Sequence, residues 1–164
     1  MSGNDCQRCH TLKAACDEAF HNYPNSCSHA VWHVVRKYIP DQPYMSANSL
    51  VVHLETNPEW EEVQIQDLAQ LANDGALVVG GAAEFSHGHV VIVYPGQPKF
   101  DGGYHYKSRE GKLVSAAPHA IYPLAMSTSM GRWPGAKSRG DKTVADPWAR
   151  EQFKKVRFWK YSGR

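Results

Sequence analysis

No stretch of this chain strings together the roughly 18–20 apolar residues that a helix needs to cross a bilayer, so the sequence gives a membrane-spanning role no support. Cysteine is absent beyond position 27: the four are Cys6, Cys9, Cys16 and Cys27. Any disulfide among them closes only a short N-terminal loop, which excludes a disulfide-framed secreted scaffold. A second CxxC knuckle is also missing. One continuous helix cannot turn Cys6, Cys9, His10 and Cys16 towards a single tetrahedral ion, so these residues do not make a zinc site. Cys6-Gln7-Arg8-Cys9-His10 matches the c-type haem attachment pattern literally. Residues 1–5, however, lack the basic n-region and apolar h-region of an export leader, and the expectation is synthesis in the cytoplasm with no metal and no cofactor. Repeats and low-complexity tracts are absent, as is any nucleic-acid-binding module. Neither a nucleic acid nor a membrane is an expected partner.

The 164 residues, 42% of them hydrophobic, are enough for one domain spanning 1–164 with a real core, and a monomer is expected. The net charge of +2 hides an asymmetry. Residues 1–82 carry 4 Lys+Arg against 10 Asp+Glu, and residues 83–164 carry 14 against 6. A basic C-terminal half can draw in an anionic partner. Helical periodicity predicts helices over 5–20, 27–38, 46–55 and a short one over 65–72. The period then changes. Strands are predicted at 76–79 and 89–94, stopped by Gly80-Gly81 and Pro95-Gly96 respectively, and at 104–107, 121–127 and 155–161. Residues 133–141, basic and rich in Pro and Gly, read as a surface loop. Lys154, Lys155, Arg157 and Lys160 read as charges protecting an exposed sheet edge. Helices first and strands afterwards make the class α+β, with N-terminal helices packed on an antiparallel sheet.

Two positions carry chemistry. Asn25-Ser26-Cys27-Ser28 leads straight into the apolar-periodic run from Ala30 to Val35, which puts Cys27 in the first turn of a helix behind an Asn25 or Ser26 cap. The unpaired N–H groups and the dipole of that turn favour a thiolate, the nucleophilic form of cysteine. Among nine histidines, His89 opens an apolar strand behind Gly88, where an imidazole can line a cleft while the strand fixes its backbone. A helix-start cysteine, then helices, then a strand-start histidine is the order used by papain-like thiol enzymes. His29 shares the cysteine's helix but is turned away from it. Ser28 and His87 are the candidate substrate contacts.

Those stretches, with Ser46-Ala47-Asn48-Ser49-Leu50, Ala76-Leu77-Val78-Val79, Gly88-His89-Val90-Val91-Ile92-Val93 and Ile121-Tyr122-Pro123, resemble the type VI secretion amidase effectors. These are small NlpC/P60-like members of the papain-fold peptidoglycan amidases. The resemblance implies a papain-like fold, with Cys27 as nucleophile and His89 as general base and then acid. It also implies hydrolysis of an amide in the peptide stem or crosslink of peptidoglycan. It further implies delivery by a secretion apparatus into the periplasm of a target bacterium, and a cognate immunity protein. For the group that orients His89, likeness points nearest Ser127. Asp101, in Phe100-Asp101-Gly102-Gly103, is chemically the better partner for an imidazole and is the expectation taken forward. His119 and a backbone carbonyl are the alternatives. A catalytically inactive binding module on the same scaffold and a Cys/His acyltransferase or deamidase are the competing functional readings.

Overall fold

A computed structural model describes residues 6–84 and 88–163. Three helices come first: α1 (Gln7–Asn22), α2 (Cys27–Tyr38) and α3 (Ala47–Thr56). Strand β1 (Trp60–Val63), a single 3₁₀ turn (Ile65–Asp67) and the short α4 (Leu68–Asn73) follow. The remainder is mostly strand: β2 (Val78–Ala82), β3 (His89–Asp101), β4 (His105–Lys107), β5 (Leu113–Ser115), β6 (Ala120–Ser127) and β7 (Ser138–Thr143). A one-turn helix α5 (Arg150–Phe153) leads into β8 (Arg157–Tyr161). Six strands form one sheet in the order β1-β8-β2-β3-β6-β7, and β4 and β5 make a separate hairpin. Every pairing is antiparallel. The class is therefore α+β with an antiparallel sheet, as expected. Among the described residues no helix is long and apolar enough to cross a membrane.

The core follows the sequence periodicities. Leu12, Ala15, Cys16 and Ala19 of α1 and Ala30, Val31, Val34 and Val35 of α2 are buried together against the sheet. The α2 surface therefore repeats apolar residues at intervals of three and four, the spacing of one helix face. Strand β3 departs from simple alternation: Val90, Val91, Ile92 and Val93 are all buried. Helices α1, α2 and α4 cover one side of the strand. On the other side Val91 packs with Ala82 and Trp148, backed by Phe153 and Val156. A strand covered on both faces reads as an unbroken apolar run.

Four boundaries differ from expectation. Strand β2 does not stop at Gly80-Gly81 but runs through them, because the Phe158 ring lies 2.5 Å from where a Cβ on Gly80 would sit. Those glycines permit close approach instead of ending the strand. Strand β3 continues past Pro95-Gly96 to Asp101, its register with β6 slipping between Tyr94 and Lys99. A bulge is where a strand tolerates proline. Residues 138–143, expected in or beside a loop, form edge strand β7. Lastly, β8 is interior, lying between β1 and β2. Its charges do not protect an edge. Arg157 instead reaches across to Glu62 and Glu55, at 2.6 Å each.

Candidate active site

The local sequence builds the first half of the site. Ser26 is the N-cap of α2, and its Oγ accepts the His29 amide at 3.3 Å. Cys27 is thus the first helical residue, as the motif predicts. Its thiol is half-buried and lies near the start of β3, where the backbone amides of Val90, Ser28 and Cys27 favour negative charge on sulfur. Three N–H groups stabilise negative charge on sulfur. Burial nevertheless outweighs them and holds the thiol above its ordinary range. The expectation of a thiolate stabilised by the helix start is therefore corrected: the amides are in place, but desolvation wins and the resting group is the neutral thiol.

Val90 directly follows His89, so the Cys27 thiol lies beside the backbone that carries the imidazole, although no hydrogen bond joins the two side chains. The His89 ring is fixed from two sides. Its Nε2 lies 2.9 Å from Ser127 Oγ, and its face meets the edge of the buried Trp148 ring at a centroid distance of 5.1 Å. Desolvation pushes the His89 pKa down to about 4. Imidazole and thiol are therefore both neutral around pH 7. A neutral pair needs a proton transfer before sulfur can attack, in contrast to a preformed ion pair.

The antiparallel register of β3 and β6 decides which residue accompanies His89. Ile92 pairs with Met126, which sets Ser127 beside the start of β3, whereas Asp101 pairs with Ala120 at the far end. Asp101 and His89 terminate a 13-residue strand and stand tens of ångström apart at about 3.3 Å per residue. The Asp101 carboxylate accepts its neighbour Gly102's amide at 3.0 Å and lies near the Asp146 carboxyl, whose pKa it helps to raise. Asp101 is therefore not the orienting group. His119 stacks on Phe100 at that same far end, with ring centroids 5.4 Å apart, and is excluded on the same ground. Ser127, 1% exposed, occupies the position; its Oγ also lies 3.5 Å from the Ala136 carbonyl.

Of the two substrate-contact candidates, Ser28 lies on the first turn of α2 with its Oγ 2.6 Å from the Tyr44 hydroxyl. His87 lies outside the described residues. Sequence reasoning missed the aromatic wall beside Cys27. His29 stacks on Tyr44 at 4.1 Å and on Tyr23 at 5.5 Å, and Trp32 meets Tyr44 edge-on at 5.8 Å. The signal was the i,i+3 spacing of His29 and Trp32 on α2, but their partners come from two separate loops. Asn48 was seen only as part of a likeness, and here it has a definite task. Its Nδ2 donates to the Glu84 carbonyl at 2.7 Å and its Oδ1 accepts the Glu84 amide at 3.1 Å, clamping the segment that leaves β2.

A cavity of about 590 Å³ lined by Asp17, Phe20, His21, Pro24, Tyr94 and Arg139 includes neither Cys27 nor His89. Among the described residues no group of three or more His, Cys, Asp or Glu is placed to hold a metal ion.

The depressed His89 value has a consequence for stability. The unfolded imidazole titrates near 6.5 and the folded one near 4. The contribution is therefore complete above pH 6.5 and lost as pH falls towards 4. Because the ring is only half-buried, the expected loss is of order 2 kcal/mol. Urea unfolding of wild type and His89→Gln at pH 7 and pH 4.5 isolates it, since the variant lacks that part of the acid loss. Equal acid losses in the two proteins would contradict the burial argument.

Compared with known proteins, the sequence matches no family model and no curated protein.

Proposed function

We propose that the protein is a cysteine-dependent amidase acting on peptidoglycan. It hydrolyses an amide of the peptide stem or crosslink, with Cys27 as nucleophile, His89 as general base and then acid, and Ser127 as the residue that positions His89. The observation that carries the proposal is the meeting of the Cys27 thiol with the Val90 amide, one residue from an imidazole whose Nε2 is already held by Ser127. A helix-start thiol docked at the mouth of a histidine-bearing strand is the papain-like arrangement implied by the motif order.

The Ser127 hydroxyl has the Ala136 carbonyl as acceptor for its own proton, so its lone pair receives the His89 Nε2–H. That leaves Nδ1 as the basic nitrogen. Nδ1 takes the thiol proton as Cys27 Sγ attacks the carbonyl carbon of the scissile amide. The oxyanion develops towards the amides at the start of α2, which have no carbonyl partner inside the helix. Collapse breaks the C–N bond, and the imidazolium gives its proton to the departing amine. Water then adds to the acyl-thioester carbonyl with Nδ1 as base, and the thiol leaves reprotonated. Ser28 and the aromatic wall of Tyr23, His29 and Tyr44 are the surfaces beside the thiol that a stem peptide would touch. The basic C-terminal half suits an anionic cell wall. The same reading places the protein as an antibacterial type VI secretion effector, carried by a component of that apparatus and neutralised in the producer by an immunity protein that covers the cleft.

The test is digestion of purified Gram-negative sacculi with wild type and with Cys27→Ala, followed by muropeptide analysis. The expected result is new amino and carboxyl termini in stem peptides with wild type alone. Unchanged muropeptides with wild type would overturn the proposal. Ser127→Ala should lower kcat/KM by about 10-fold, the worth of one positioning hydrogen bond, with kcat carrying most of the loss. An unchanged kcat would show that Ser127 is only a core residue. In wild type the acid limb of kcat/KM should fall near His89's shifted value of about 4, well below the 6.5 of an ordinary imidazole.

A further inference from the structure

Helix α1 begins with a pair of cysteines that the proposed amidase chemistry does not use. Cys6 is the N-cap of this 16-residue helix, and its Sγ accepts the Cys9 amide at 3.0 Å. The Cys9 thiol in turn donates to the Cys6 carbonyl at 3.0 Å. Both are half-buried and free, while Cys16, also free, is fully buried in the core. The turn that carries them is seated on the end of α4. Cys6 Sγ donates to the Asn73 carbonyl at 3.3 Å. Gly75, at φ +84°, packs so closely that a Cβ there would lie 2.4 Å from Arg8 Cβ and 2.7 Å from the Cys9 nitrogen. The Tyr38 hydroxyl anchors the Gly75 carbonyl from the core at 2.9 Å. The sulfurs are thus held towards each other by a fixed backbone, at a sequence spacing whose Cα separation a disulfide spans.

We propose that Cys6 and Cys9 are a reversible dithiol–disulfide pair that exchanges with external disulfides. The roles of the two sulfurs differ. Cys6 Sγ receives the Cys9 N–H at the start of the helix. The hydrogen bond to Cys6, followed by burial and the charge of Cys6, holds the Cys9 thiol above the ordinary range, so Cys9 keeps its proton longer. The Cys6 thiolate attacks one sulfur of an external disulfide RSSR, forming a mixed disulfide and releasing RS⁻. Cys9 then loses its proton to solvent, attacks Cys6 Sγ and expels the second RS⁻. Two protein thiols are oxidised to one disulfide, and RSSR is reduced to two thiols. Cys6 surrenders its S–H donation to Asn73, while the Cys9 amide continues to face Cys6 Sγ.

The test uses the full chain equilibrated with mixtures of reduced and oxidised glutathione, alkylated, and digested with trypsin without reduction. Cleavage after Arg8 and Lys13 leaves peptides 1–8 and 9–13 joined only through a Cys6–Cys9 disulfide. The expected result is that joined pair, appearing as the oxidised form increases and lost again in excess reduced glutathione. In the reduced protein Cys6 should alkylate at least about 10-fold faster than Cys16. Cys9→Ser should accumulate Cys6 carrying one glutathione, since nothing remains to resolve it. Three results would overturn the proposal: separate glutathione adducts on Cys6 and Cys9 without the joined pair, a disulfide from either one to Cys16 or Cys27, or both thiols fully alkylated at the most oxidising ratio. None of these readouts depends on cell-wall cleavage, so the pair and the amidase proposal stand or fall separately.

Discussion

If the protein is the proposed amidase, Cys27→Ala should lower the rate of stem-peptide cleavage by at least about 10³-fold while shifting the urea midpoint only slightly. The argument rests on what the side chain touches. Its sulfur is half-buried at the α2–β3 junction and meets amides, which lose little by hydrating when the atom is removed. The cost to folding is therefore about 1 kcal/mol or less. The cost to chemistry is the whole covalent route, because the other three cysteines cap or lie on α1, away from the β3 mouth. His89→Ala should cost about 10²–10⁴-fold, the range of a positioned general base. Here the base is indispensable, since burial keeps the thiol protonated at pH 7. The double variant should be hardly worse than the single ones, because groups that act as one unit do not lose rate additively. Initial rates of peptide release from sacculi for the four proteins give the cycle directly. A Cys27→Ala protein retaining a tenth of the wild-type rate would remove the thiol from the mechanism.

The parts of this site legible in the sequence are those whose placement is local. A cap followed by an apolar-periodic run fixes Cys27 at a helix start, and a glycine before an apolar run fixes His89 at a strand mouth. Neither needs knowledge of a distant partner. The third residue is different. A carboxylate is the better chemical match for an imidazole, and that criterion favoured Asp101 over Ser127. What decides is register. Once Ile92 lies opposite Met126, Ser127 must fall beside His89 and Asp101 at the other end, and no local pattern encodes that pairing. Two of the three strands missed, β1 and β7 but not β5, share a physical cause. Strands β1 and β7 are the two edges of the sheet, where one side makes no ladder and polar sequences such as Trp60-Glu61-Glu62-Val63 are tolerated. Strand β7 is held partly by a side chain: buried Ser138 donates to the Ala125 carbonyl and accepts the Lys142 amide at 3.0 Å. The charges on β8 looked like edge protection because their carboxylate partners, Glu55 and Glu62, lie about a hundred residues earlier in the chain.

Gly88→Ala should lower kcat/KM by about 10²-fold, more than its effect on stability alone would suggest. A Cβ at this position would lie 2.3 Å from Asn48 Oδ1 and 2.6 Å from the Ala82 carbonyl oxygen. Neither contact is tolerable, and only one of them belongs to a side chain that can move. If Asn48 turns aside, it abandons both hydrogen bonds to Glu84, and the segment leaving β2, the strand that pairs with the start of β3, loses its clamp. If the backbone shifts instead, His89 shifts with it, since it is the next residue and begins the ladder with Ala82. Either way the imidazole leaves its place at the β3 mouth, and a displacement near 1 Å at a reacting group costs on the order of 10²-fold. Folding is less affected, because Val90 to Val93 remain packed between helices and the Trp148 cluster. Asn48→Ala releases the same clamp without the added methyl and should lower kcat in the same direction. Since both changes act through one latch, the double variant should lose less than the product of the single losses. Multiplicative losses would place Gly88 and Asn48 in independent roles, and a fully active Gly88→Ala would mean that His89 is not held by this segment.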